Sequence, residues 1–199
     1  KVFDIAAKNY EWAIDKALEV AETVYCPLIA GNHAPDQEIL LAKYIKAVYR
    51  KEPRVNIDDR PISRKAYHFG RNLILHTHGD GLNINDLAHI LPLEFPKQWA
   101  ASDFREVHTG HRHHRSGQTK KVGKHHDRPL AIGDYKEVHG VLVRVAPALC
   151  SSDAWHFNSL YVGAIKAAEA YLYGAETGLE ATYQATITPK LIEYTKGLV

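Results

Sequence analysis

The 199-residue sequence predicts a single-domain α/β fold. Two stretches, 2–22 and 35–50, carry apolar residues at three- and four-residue spacing, as amphipathic helices do. Between and after them lie short apolar runs that end at glycine, the pattern of buried strands turning sharply at a sheet edge. Apolar residues make up 45% and charged residues 24%, so the chain is globular in composition and long enough to bury a core.

The first helix rests on Phe3, Ala6, Tyr10, Ala13, Ile14, Ala17, Leu18 and Ala21. "TVYCPLIA" (23–30) reads as a buried strand closed by Gly31, with Pro27 marking a bulge or an edge. Ile39, Leu40, Ala42, Tyr44, Ile45 and Val48 define the second helix, which places Gly31-Asn32-His33 in a strand-to-helix turn. Extended segments follow at 54–58, 65–70 and 72–80, the last two joined as a hairpin through Gly70-Arg71. A helix is expected at 83–91, and a strand opens at 104 and ends at glycine within "FREVHTGHRHH" (104–114). The polar stretch 115–136 reads as an exposed excursion, 137–147 as a strand, and 167–187 as a hairpin in which Leu179, Ala181, Tyr183, Ala185 and Ile187 alternate with polar residues, although its alanine-rich start equally fits a helix.

Lys and Arg number 25 against 23 Asp and Glu, so net charge favours neither a nucleic-acid partner nor an acidic substrate. No apolar stretch approaches the roughly 20 residues that cross a bilayer, so no membrane partner is expected. Cys26 and Cys150 are too few and too far apart for a disulfide scaffold or a thiolate zinc site, and read as small buried side chains in a reducing, cytoplasmic setting. Thirteen histidines are the compositional feature that points to chemistry, since imidazole is both the commonest metal ligand and the near-neutral proton carrier.

Each polar cluster has an ordinary structural reading. Gly-Asn-His is a plausible cap and turn, His76 and His78 share one face of a strand where one can be a core residue, and "GHRHH" can be a solvated basic turn. The combination points elsewhere. Three strand ends in one α/β chain each present Asn or His beside glycine, and open α/β sheets build their sites at the carboxyl ends of strands.

Gly31-Asn32-His33, His78 in "THGD" and Gly110-His111-Arg112-His113, in that order, resemble the calcineurin-like metallophosphoesterases. "THGD" with "DAWH" (153–156) is similar to the phage and bacterial members of that family. The resemblance implies an αββα sandwich of two packed sheets flanked by helices, incomplete here at its N-terminal side. It also implies two divalent transition-metal ions (Mn, Fe, Zn or Ni), with Asn32, His78 and His111 ligating one and His113 the other. His33 would be the general acid in hydrolysis of a phosphoric ester, nucleic acid and nucleotides among the possible substrates. Arg112 and Arg115 lie where they would hold a substrate phosphate, and Asp80 where it would orient a ligating histidine.

The chain departs from the family pattern in two places. Ala34 stands where an acidic residue usually follows Gly-Asn-His, with Asp36 as the candidate to replace it, and no Asp-x-His or Gly-Asp block precedes Gly31. The absent methionine fits an expectation that those blocks lie upstream in a parent protein and that this chain alone is inactive. The alternatives are a non-catalytic descendant serving as a structural or partner-binding module, and a nucleic-acid-binding module using Lys120, Lys121, Lys124 and Arg128. His76 is expected in the core or behind a ligand, and His108, His114, His125 and His126 are expected to be solvated.

Overall fold

The computed structural model describes residues 2–111, 135–149 and 166–186. The chain divides into two compact units, the first comprising Lys1–Lys65 and His76–Asp80, the second Ala66–Leu75 and Gly81–Val199. Among the described residues the architecture is α/β, with helices and open sheets.

In the first unit, helix α1 (Val2–Leu18) leads to strand β1 (Val24–Pro27), helix α2 (Pro35–Val48) and strand β2 (Val55–Asp58). α1 stops one turn before the expected boundary, because the amides of Val20 and Ala21 both turn back onto the carbonyl of Ala17. β1 and β2 pair in parallel, with Val24 opposite Val55 and Pro27 opposite Asp58. Parallel neighbours need a crossover, and α2 is that crossover. It begins at Pro35, whose missing N–H costs nothing in a first turn, and Asp36 and Glu38 oppose the positive end of the helix dipole. Leu41, Ala42 and Ile45 of α2 pack with Ala7 and Ile14 of α1 and with Leu28 and Ile57 to form the core of this unit.

The second unit is organised on a five-stranded sheet of order β3-β4-β5-β7-β6, built from β3 (Arg64–Phe69), β4 (Asn72–Thr77), β5 (Phe104–Thr109), β6 (Tyr135–Val138) and β7 (Val141–Val145). The Gly70-Arg71 turn joins β3 to β4 as the sequence implies. Between β4 and β5 run α3 (Ile84–Glu94) and α4 (Pro96–Ala100). α3 was expected to end before Pro92, yet Pro92 sits in its last turns, and the short α4 was not foreseen. Leu87, Ala88 and Leu91 of α3 pack on Leu73, Leu75, Val107, Val141, Val143 and Val145 of the sheet. β5 and β7 are parallel, β6 and β7 antiparallel.

The single strand expected at 137–147 is instead this β6–β7 hairpin. His139 and Gly140 turn it with φ of 50° and 76°, the two left-handed residues that a tight hairpin requires. Asn-Gly would have announced such a turn; His-Gly does not. The final hairpin, β8 (Ala167–Gly174) and β9 (Gly178–Thr186), forms as expected, with a register shift between Leu172 and Tyr173. Its Tyr173 reaches Glu106 and His108 of β5, on the face of the sheet opposite Val107, so this unit is layered helix, sheet, hairpin.

Candidate functional site

Gly31-Asn32-His33 leads from β1 into α2, as the sequence implies, and the turn lacks a side-chain cap because Ala34 occupies the N-cap position. Glu38 supplies a different connection: its carboxylate accepts the Gly31 backbone N–H. This contact joins the start of the turn to the first turn of α2, seven residues apart. The sequence offered Asp36 for that role, but Asp36 is exposed on the first turn of the helix.

The same turn meets the segment beyond β4. Asn32 Oδ1 lies 3.0 Å from His78 Nε2, so two residues 46 apart in sequence are brought together. Gly31 makes room for the imidazole: a Cβ at position 31 would stand 3.1 Å from His78 Cε1 and 3.4 Å from both His78 Nδ1 and Glu38 Oε2. Alanine there would press on the ring and on the carboxylate together.

The remaining sites anticipated from sequence fall in several places. His33 is exposed, one residue beyond Asn32, and Asp80 is exposed in the turn after His78. His76 is half-buried at the end of β4. His111 belongs to the second unit, two residues past β5, with a left-handed φ of 64°. His113, Arg112 and Arg115 lie outside the described residues, as do residues 115–134 of the basic excursion, "DAWH", Cys150, His114, His125 and His126, while Tyr135 and Lys136, expected in the excursion, open β6. Cys26 is a free, half-buried thiol that burial pushes up from its ordinary pKa, an inert state for a cysteine.

An amide oxygen and an imidazole nitrogen suit a transition-metal ion. Two neighbouring ligands at a right angle, each roughly 2.1 Å from one ion, stand about 3 Å apart, and Asn32 Oδ1 and His78 Nε2 are 3.0 Å apart. The same separation is a hydrogen bond when Nε2 carries a proton. The pair therefore fits as part of a ligand set, while among the described residues no group of three or more His, Cys, Asp or Glu side chains is arranged to hold a metal.

Two polar clusters escaped the sequence reading. At the ends of β1 and β2, Lys65 is 1% exposed and its ammonium donates to the carbonyls of Leu28 at 2.6 Å and Asp58 at 2.7 Å. It also lies 3.5 Å from the Asp58 carboxylate, which accepts from Arg60 Nε at 2.9 Å and from the Tyr25 hydroxyl at 3.0 Å. Hydrogen bonds from Arg60 hold Asp58 well below the usual carboxylate range against the opposing effect of burial. The second cluster centres on Glu106, whose Oε2 receives Arg144 Nε at 2.7 Å, the Tyr173 hydroxyl at 2.9 Å and His108 Nε2 at 3.0 Å. His108, expected in solvent, is therefore tied into a network; its side chain is 15% exposed because β8 covers that face of β5. An ionised Glu106 only accepts, so the proton on the near side of His108 sits at Nε2.

Among the described residues no helix is long and apolar enough to cross a membrane. No protein-family model matches the chain, nor does any curated protein or solved structure match it significantly.

Proposed function

We propose that this chain carries part of the site of a metal-dependent phosphoric ester hydrolase, built on the two-sheet αββα sandwich of the calcineurin-like phosphoesterases. The observation that supports it best is the convergence of Asn32 and His78 over Gly31, from two chain segments that the motif pattern had paired. The helix, sheet and hairpin layers of the second unit are compatible with half of such a sandwich.

In this reading Asn32 and His78 would be among the ligands of one divalent ion, and His113 would hold a second. The ions, when bound, supply electrostatic stabilisation of the phosphate and a nucleophilic water at neutral pH. Asn32 contributes a neutral oxygen and His78 a neutral nitrogen, so these two residues orient without cancelling the ion's charge. His33, exposed at the lip of the turn, donates a proton to the leaving oxygen, a role suited to imidazole near neutrality. Arg112 and Arg115 bind the phosphate through paired N–H groups.

The uncapped turn at Ala34 favours the second reading, a non-catalytic module that keeps the turn and not the chemistry. Mn2+ or Zn2+ titration, followed by hydrolysis of a model phosphodiester, separates them. The hydrolase reading expects an ion held at His78 and lost in Asn32→Ala and His78→Ala, with little or no turnover by this chain without the upstream blocks. His33→Ala should lower kcat by roughly 10²–10⁴-fold and leave the bound ion in place. Ion binding untouched by His78→Ala would overturn the hydrolase reading and leave the module.

A further inference from the structure

Two exposed histidines of the second unit meet from elements far apart in sequence. His89 lies on α3 and His139 in the β6–β7 turn, and their ring centres are 4.9 Å apart with the planes inclined at 43°. Both are carried on packed elements. Ala88 and Leu91, which bracket His89, lie in the core with Val138 and Val141, which bracket the turn. His139 has a left-handed φ of 50°, a place where turn chemistry alone favours Asn, Asp or Gly.

We infer that His89 and His139 form a site for a divalent transition-metal ion of the Cu2+, Zn2+ or Ni2+ class, which clamps the β6–β7 turn to α3. The site belongs to the second unit and does not depend on the hydrolase reading of Asn32 and His78.

The ring separation carries it. An imidazole nitrogen binds zinc at roughly 2.0–2.1 Å, which puts each ring centre about 3.2 Å from the ion and the two centres about 4.5–5.2 Å apart for ligand angles between about 90° and about 109°. The observed 4.9 Å lies inside that range. Rotation about χ2, a broad torsion, swings the nitrogens round a nearly fixed ring centre, so the exposed rings reach a shared ion without moving the backbone. Each ring binds as neutral imidazole through its bare nitrogen and keeps its N–H on the other, so no proton has to leave. Among the described residues no group of three or more His, Cys, Asp or Glu is placed to hold a metal, so the pair supplies two ligands and water completes the ion. Such a site follows the imidazole order of affinity, Cu2+ above Zn2+, and discriminates against the hard ions Mg2+ and Ca2+. The same separation also suits a tilted aromatic contact, so ligation has to be told from packing.

The full chain, labelled with 15N-histidine, is titrated with Zn2+ while the rings of His89 and His139 are read individually, so that zinc held by other histidines does not intrude. In wild type both rings should respond at one zinc concentration, recover with EDTA and stay unmoved by Mg2+. His89→Phe keeps an aromatic ring against His139 and removes the nitrogens; it should weaken the His139 response by roughly 10²-fold or more, the gain from holding a second ligand in place. His139→Asn keeps a residue suited to the left-handed turn and should do the same to His89. The amides of Leu91 and Val143 should stay in place in every variant, which separates loss of a ligand from loss of fold. A His139 response undiminished in His89→Phe, or two rings that titrate independently in wild type, would overturn the inference and leave an aromatic contact. Either result would leave the reading of Asn32 and His78 untouched.

Discussion

Replacing Lys65 with methionine should destabilise the first unit by roughly 3–5 kcal/mol, the range for removing one partner of a buried ion pair. Methionine fills nearly the same volume, so the loss is polar rather than a cavity. The carbonyls of Leu28 and Asp58 would be left without the ammonium that now bonds both. Leu28 follows β1 and Asp58 ends β2, so the damage falls where the two strands open toward the Gly31 turn. Hydrogen exchange should show it, with protection lost at Ile57 and Ile45 and largely kept at Val107 and Val143. An unchanged exchange pattern in Lys65→Met would mean that the ammonium is a bystander.

The groups around Lys65 also give this unit a pH dependence that can be read at both ends. Asp58 is depressed in the folded state, first by its hydrogen bonds from Arg60. Its contribution is therefore complete above the ordinary aspartate value, near 3.9, and is lost as pH falls through the folded value. Tyr25 is pushed up to about 12, first by burial and then by its hydrogen bond to Asp58. A raised acid favours the folded state while it is protonated, so that contribution is complete below about 10 and fades as pH rises toward 12. Thermal melts from pH 9 to 12 should fall less steeply in Tyr25→Phe than in wild type.

The α/β class and most elements were legible because they depend on local period. α2, β2, β4 and the β8–β9 hairpin declare themselves through spacing alone. The Gly31 turn was legible for the same reason, since a glycine after an apolar run and before a helical pattern has little else to be. Lys65 was not legible: a lysine on a strand reads as solvated, and only the carbonyls gathered around it in space make burial tolerable. Glu38 was hidden because its reach back to Gly31 depends on the length and direction of a side chain in a helix. His108 was misjudged because Glu106 and His108 alternate with Val107, which locally reads as an outward face, until a hairpin some 60 residues later covers it. What the sequence could not express was the covering of one polar group by another from a distant segment.

That covering leads to the second large effect, expected for Glu106→Ala in the second unit, again roughly 3–5 kcal/mol. One carboxylate oxygen takes hydrogen bonds from three strands, so its removal leaves the Arg144 guanidinium, the His108 N–H and the Tyr173 hydroxyl without their shared acceptor. Arg144 is the costly one, a cation whose side chain is 11% exposed and which also lies over the ring of Tyr171, 4.9 Å away. Tyr173→Phe should cost only about 1 kcal/mol, the worth of one hydrogen bond when the other groups keep theirs. The pair Glu106→Leu with Arg144→Met should be milder than Glu106→Ala alone, because it removes both buried charges instead of stranding one. Burial works to raise Glu106, yet bonds from His108 and Arg144 leave it below its usual value. Its contribution is thus complete above the ordinary glutamate value, about 4.3, and lost as pH falls through the folded value. Denaturant titrations at pH 7 and pH 3 should therefore differ by less in Glu106→Gln than in wild type. Since β5 leads through Gly110 to His111, loss of this network should also raise hydrogen exchange at Ala146, whose amide donates to the Thr109 carbonyl at 2.7 Å. A protected Ala146 amide in Glu106→Ala would show that the strand end is held by the β5–β7 ladder alone.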